Sequence, residues 1–500
     1  RESWGVGRSK RKIGVDRNFH WATQEDPSIV EWAASFSSWL DYQRQGLALR
    51  TYMAERVLTY LIKNRHLPRS IAQYCHRAQA NHPTWPEWAE TQNWASSSKR
   101  HYSNYFADFL DWYVEASLTG EDDFGRPVVS LEHYNPIPRQ RVSGKQAETH
   151  REALPLRYVH ELTRILTEND FAWGRGIRSD YFMCPNPTGG FTKTWNPVRT
   201  YVLLLKLMLP LRTYQVRMLD SGECDTEVYR DGGWRNNDGK FAKAANRKRP
   251  VRRGFLRKFR DSITGREFTG FFINTNKTAD SGKDQKDRGY EIPWQHEDVI
   301  KIAQDLRDWQ EKYNPLHEPT KWETIHDRTV LRSYTAGMLK ARQPACFLFR
   351  DPCGVYSAEP VLDSRMQPFW AQLLEELERR VAERGETLAD GERIRFVHHN
   401  GQRTAAANYD LHTLRVSLIT AYATEGGVPI QILAKCVAGH ASILMTLYYN
   451  KPGPAFVSAK SADAQEKIQQ SGSANFLRFL QNEELRAASP MVVSNGQAGL

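Results

Sequence analysis

No apolar run in this sequence approaches the roughly 18 residues that a membrane-spanning helix needs, so a membrane-embedded chain is not expected. The N-terminus carries no apolar signal-type stretch, and the first residue is Arg1 rather than Met, so a trimmed or partial chain is expected. Six cysteines (Cys75, Cys184, Cys224, Cys346, Cys353 and Cys436) are scattered along 500 residues with neither a Cys-x-x-Cys pair nor Cys/His ligand spacing. That argues against a disulfide framework or a zinc site, and for reduced thiols in a cytoplasmic protein. No metal and no cofactor are expected.

Acid is also in short supply. Asp and Glu number 58 against 69 Lys and Arg, a net charge of +11 that points to a polyanionic partner. The excess is densest between Tyr229 and Arg260, where twelve Lys or Arg face two Asp. Arg247, Lys248, Arg249, Arg252 and Arg253 lie there and could grip phosphates, making binding steeply salt-dependent. A solvated insertion would look the same.

Along the chain, residues 1–24 read as a basic arm. Residues 25–119 carry apolar residues at helical spacing: Ile29, Trp32, Phe36, Trp39 and Leu40, then Val57, Leu58, Leu61 and Ile62, then Tyr105, Phe106, Phe109 and Leu110. Their period matches burial rather than base stacking. The start of the last stripe, Ser96 to His101, is polar and basic, so Arg100 is a candidate phosphate contact. Gly- and Pro-rich residues 120–153 read as a linker. A second domain follows over 154–455, with the basic insertion at about 229–260 and a terminal helix and tail over 456–500. Its helices include a buried one over Tyr201–Pro210, and Phe268–Thr275 and Gly289–Trp294 read as paired strands. The class expected is mainly α with a small β-sheet, α+β.

The chemistry concentrates between Asp410 and Tyr449. If Leu411–Ala423 is a helix, His412 and Arg415 stand at i and i+3 on one face. Gly426-Gly427 ends that helix, and Ile430–Val437 reads as a short, mostly buried one closed by Gly439. His440 lies 25 residues after Arg415, and Tyr449 nine residues after His440. Two imidazoles, a guanidinium and a phenol suit attack on a phosphodiester.

The strings His412-Thr413-Leu414-Arg415 and Gly439-His440 to Tyr448-Tyr449 resemble the C-terminal signature of the tyrosine recombinases, or phage integrases. That resemblance implies a helical core-binding domain followed by a catalytic domain, with Tyr449 as nucleophile and Tyr448 as its neighbour in register. Leu211-Arg212-Thr213-Tyr214-Gln215 resembles the family's first-arginine segment, which implies Arg212 as the first catalytic arginine and leaves Arg217 elsewhere. Gln215 stands where the family often has Glu. Asn276-Lys277-Thr278 resembles the hairpin segment whose lysine is the general acid, with Lys283 and Lys286 in the same turn as alternatives. The mechanism implied is Tyr449 attack with His412 as base, Arg212 and Arg415 on the phosphate oxygens, and His440 as a hydrogen-bond donor to the phosphate or a positioning group. It gives a 3′-phosphotyrosyl enzyme and a free 5′-hydroxyl without metal or ATP.

The expected partners are double-stranded DNA, further copies of the chain (a tetramer on two duplexes) and accessory proteins, with no membrane. The expected setting is the nucleoid of a bacterium or phage host, and the role is integration or excision of a mobile element. Type IB topoisomerases and telomere resolvases share the chemistry and are the nearest alternatives. A DNA-binding protein with a silent site is the alternative of another class.

Overall fold

The computed structural model describes residues 16–450 except 44–45, 122, 130, 141–148, 186–188, 243–250, 277–279, 281–282, 284–286, 353, 400–404, 427, 440–445 and 447–449. Helices dominate the described residues, and the strands form short antiparallel pairs and one three-stranded sheet, the α+β class.

Three helices, Val30–Asp41, Leu47–Lys63 and Ser96–Ser117, build the first core. Trp32, Phe36, Trp39 and Leu40 recur every three or four residues, so one face of the first helix is apolar and all four are buried. Phe36 meets Phe109 of the third helix with ring centroids 4.0 Å apart, and Trp32 meets Tyr74 edge-on at 5.3 Å. Ile137 joins this core from beyond Val129, and Arg139 ties the segment down through Asp108 and Asp111 on the third helix.

The second core is centred on the helix Val198–Met208, whose residues from Thr200 to Leu207 are all buried. Apart from Arg199, Thr200 and Lys206 its side chains are largely apolar, in keeping with the four helices that surround it: Leu156–Arg175, Glu297–Tyr313, Asp363–Glu383 and Thr413–Thr424. Leu209 turns to extended backbone ahead of Pro210, which ends the helix. Beside it lies an antiparallel sheet in which Glu267–Ile273 is the middle strand, between Leu256–Arg260 and Tyr290–Ile292. Phe271 pairs with Ile292 and Ile273 with Tyr290, so one face of the sheet feeds the core.

The two cores touch through the short helix Arg328–Ser333, which packs on Leu47–Lys63. The Arg332 guanidinium bonds the Tyr52 hydroxyl and lies over its ring at 5.0 Å, and Arg17 Nη2 donates to Leu331 O at 2.9 Å. No helix among the described residues is long and apolar enough to cross a membrane.

Candidate active site

Arg212 owes its place to the chain reversal after the central helix. It caps the short helix Thr213–Arg217, and its backbone N–H donates to Gln215 Oε1 at 2.9 Å. Gln215 is buried, and its Nε2 donates to Thr275 O at 3.0 Å, tying the arginine turn to the end of the middle strand. A carboxylate could accept the first bond and could not donate the second. Arg212 is itself half-buried, and its Nη1 is buried with no hydrogen-bond partner among the described residues. Arg217, the neighbouring guanidinium, is buried and committed to Asp327 and to Val361 O, away from Arg212.

Arg415 is fully buried on the helix Thr413–Thr424. Its Nη1 donates to Pro210 O, two residues before Arg212, and its Nη2 to Ala438 O at 2.8 Å, two residues before His440. His412 caps the same helix, its backbone N–H donating to Asp410 Oδ1 at 2.9 Å. Asp410 Oδ2 accepts from Arg151 Nε at 2.7 Å. The i, i+3 spacing therefore brings His412 and Arg415 to one side, although His412 precedes the helix rather than lying inside it. The segment Ile430–Val437 differs from the expectation of a mostly buried helix. It starts as α and then winds as a π-helix over Leu433–Val437, with Ile432 exposed and only Leu433 and Ala434 buried. The wide turn is closed by Ala438 N donating to Leu433 O at 2.8 Å, and Ala438 O is left to Arg415.

The hairpin between Ile273 and Tyr290 supplies the opposite wall. Asn276 Nδ2 donates to Gly439 O at 2.6 Å. Buried Asp280 gathers the turn, accepting from Asn276 N and, at 2.9 Å, from Gly289 N. Gly439 has a φ of +61°, and a Cβ there would collide with the Tyr290 ring, so glycine is required on both counts.

These groups make a strongly electropositive pocket. Burial first, then Lys206, Arg415, Arg151 and Arg212, bring His412 down to about 3, which leaves a neutral imidazole. Lys206 is fully buried on the central helix, its Nζ donating to Leu211 O at 3.0 Å. Burial, then Arg415, brings that ammonium down to about 7 against the pull of Asp410 and Asp363. Lys206 escaped sequence reading although its signal was plain: it is the one charge in the apolar run Tyr201–Pro210. Tyr290 had no signal beyond membership of a strand.

Of the residues singled out from sequence, Arg212, His412 and Arg415 converge. Lys277, Lys286, His440, Tyr448, Tyr449, Arg247, Lys248 and Arg249 lie outside the described residues, and Lys283 is exposed. Arg253 is held by Asp225 through its backbone and by Pro344 O through Nη1 at 2.7 Å, whereas Arg252 is open to solvent with Glu227 3.8 Å away. Arg100 sits near the start of the helix Ser96–Ser117 and is half-buried. Among the described residues no group of three His, Cys, Asp or Glu is placed to hold a metal.

The family model Integrase_2, described as "Putative integrase", matches residues 27–188 and 185–323, together more than half of the chain. No curated protein matches the sequence. Among solved structures, the Tn1549 transposon integrase in complex with transposon right end DNA is similar at 12% identity and a TM-score of 0.40, over 83% of this chain and 93% of that one.

Proposed function

The chain belongs to this integrase family, whose members cut and rejoin DNA, and from that premise we propose that it is a site-specific recombinase of mobile DNA working through a 3′-phosphotyrosyl intermediate on Tyr449. The observation that carries the reading is the position of Arg415. One buried guanidinium bonds the carbonyls of Pro210 and Ala438, so the segments leading to Arg212 and to His440 meet beside His412.

On this reading the Tyr449 oxygen attacks the scissile phosphorus, the bond to the 5′-oxygen breaks, and the 3′-phosphate is left on the tyrosine. His412 takes the phenol proton, and Lys277 gives one to the departing 5′-oxygen. Arg212 and Arg415 hold the non-bridging oxygens, since a guanidinium fork matches phosphate and never loses its charge. In the free chain His412 is too weak a base for this task, because four cations surround it. A bound phosphate adds the negative charge that offsets them and brings its pKa back up. One ester is exchanged for another, so rejoining needs no ATP. Arg100, Arg247, Lys248, Arg249, Arg252 and Arg253 would grip the flanking backbone. Exchange joins two duplexes, which calls for more than one copy of the chain, with a tetramer as the expected assembly.

The test is covalent trapping. The full chain is incubated with a duplex carrying the end of its element and a nick just beyond the cleavage position, without metal or ATP, and run on a denaturing gel. The expected outcome is an adduct lost in Tyr449→Phe and retained in Tyr448→Phe. Loss only in Tyr448→Phe would move the nucleophile by one residue. Tight binding with no adduct from any variant would leave a DNA-binding protein with a silent site.

A further inference from the structure

We propose that the Tyr290 hydroxyl is a catalytic group, donating a hydrogen bond to a non-bridging oxygen of the scissile phosphate beside Arg212; this rests on the phosphotyrosyl reading above. Tyr290 opens the strand Tyr290–Ile292, and its ring packs against the second core on the same face as Ile292. The apolar body of the side chain thereby fixes where its polar tip ends.

The proton at that tip is not donated within the fold. The phenol oxygen is buried with no partner of good hydrogen-bond geometry among the described residues, and the groups that approach it, Arg415 and Gln215 with Arg212 near by, come to it as donors and cannot accept its proton. Arg212 Nη1 is in the same condition. Folded proteins rarely leave a buried polar group unpaired, and two donors left open beside each other call for one acceptor with several lone pairs. A phosphate oxygen is such an acceptor, and it arrives with the substrate.

The position is also rigid. Tyr290 is hydrogen-bonded into the sheet opposite Ile273, and its ring lies against Gly439, whose carbonyl is held by Asn276. Burial pushes the phenol up further than Arg415 and Arg212 bring it down, so it keeps its proton. It can donate, and it does not compete with Tyr449 as a nucleophile.

The trapping assay on the nicked duplex decides this when the scissile phosphate is compared with its two phosphorothioate diastereomers. At saturating duplex, Tyr290→Phe should slow adduct formation about tenfold to a hundredfold, the range for losing one preorganised donor, with the Kd for the duplex unchanged within about twofold. Its Tm should stay level or rise, because the variant removes an unsatisfied buried group. On one diastereomer, where sulfur replaces the oxygen that Tyr290 contacts, the penalty of the variant should shrink at least about threefold. An undiminished rate in Tyr290→Phe overturns the inference, and so does an equal penalty on all three duplexes. Failure of the unsubstituted chain to form any adduct overturns the phosphotyrosyl reading itself, and this inference with it.

Discussion

Around Trp32 the interior is aromatic and neutral, whereas around the helix Val198–Met208 it holds cations. Among the polar groups of the first core, Trp85 Nε1 donates to Ser103 Oγ at 3.0 Å and the Tyr60 hydroxyl to Pro83 O at 2.6 Å, whereas Trp32 Nε1 is buried with no hydrogen-bond partner among the described residues. In the second, Lys206, Arg217, Arg350 and Arg415 are all buried. These four divide again. Arg217 and Arg350 face carboxylates, Asp327 and Glu223. Lys206 and Arg415 donate to backbone carbonyls instead. A carbonyl satisfies a donor without cancelling its charge, so only the second pair leaves a field for a phosphate. The comparison teaches where this chain keeps stability and where it spends it.

The strongest way to break the contrast is to damage the neutral core alone. Trp32→Ala removes a fully buried indole packed against Phe36, Tyr74, Phe106 and Phe109. It should cost about 3–5 kcal/mol in urea unfolding, the usual range for Trp to Ala in a core. The rate of adduct formation per folded molecule should hold within about threefold, because a core substitution this remote adds no term at the phosphate. A parallel collapse of the rate would mean that the contacts of Arg17 with Leu331 and of Arg332 with Tyr52 couple the two cores tightly.

The converse experiment relieves the charged core. Lys206 has an ordinary value of 10.5 and about 7 in the fold. The sign follows directly. Between those two values the unfolded chain holds the proton and the folded chain has released it, so stability rises with pH across that window. Below about 7 both states are charged and the whole cost is present, on the order of 5 kcal/mol at ~1.4 kcal/mol per unit, as an upper bound. Lys206→Met keeps the length of the side chain and removes the charge. It should be more stable than the unsubstituted chain at pH 6 by urea unfolding, with the gap closing by pH 10. If the gap is the same at both values, the ammonium is not what strains this core. Adduct formation in Lys206→Met should fall, since Leu211 O loses its donor next to Arg212.

Much of this division was legible in the residues. The stripe from Trp32 to Leu40 announced a one-faced helix, the all-round apolar run Tyr201–Leu209 announced a buried one, and His412 and Arg415 carried their own spacing. What could not be read was convergence. Nothing in the strings around Pro210 and Ala438 says that one guanidinium joins their carbonyls, because a backbone acceptor leaves no mark on residue identity. Tyr290 alternates with Ile292 as any core strand residue would, and only a buried oxygen without a partner distinguishes it. The π-turn over Leu433–Val437 was hidden for a similar reason: its apolar residues fit an ordinary helix equally well.

Gln215 is where the sequence pattern and the geometry disagree most instructively, and its substitution should give the smallest effect. The family pattern favours Glu, yet here the side chain must accept from Arg212 N and donate to Thr275 O at once. Gln215→Glu would set a carboxylate oxygen against that carbonyl, at a cost of about 1–3 kcal/mol, the range for a buried acceptor left unmatched. Arg212 alongside favours the ionised form and holds the loss to the low end. Facing a carbonyl raises the introduced carboxyl above its unfolded value, so the protonated acid can donate as the amide does. Its contribution is then present at low pH and lost as pH rises through the raised value. Urea midpoints of the variant and the unsubstituted chain should nearly coincide at pH 4 and separate at pH 7. Midpoints that coincide at both values would mean the Thr275 bond contributes nothing, and that Gln215 and Glu are interchangeable supports for Arg212.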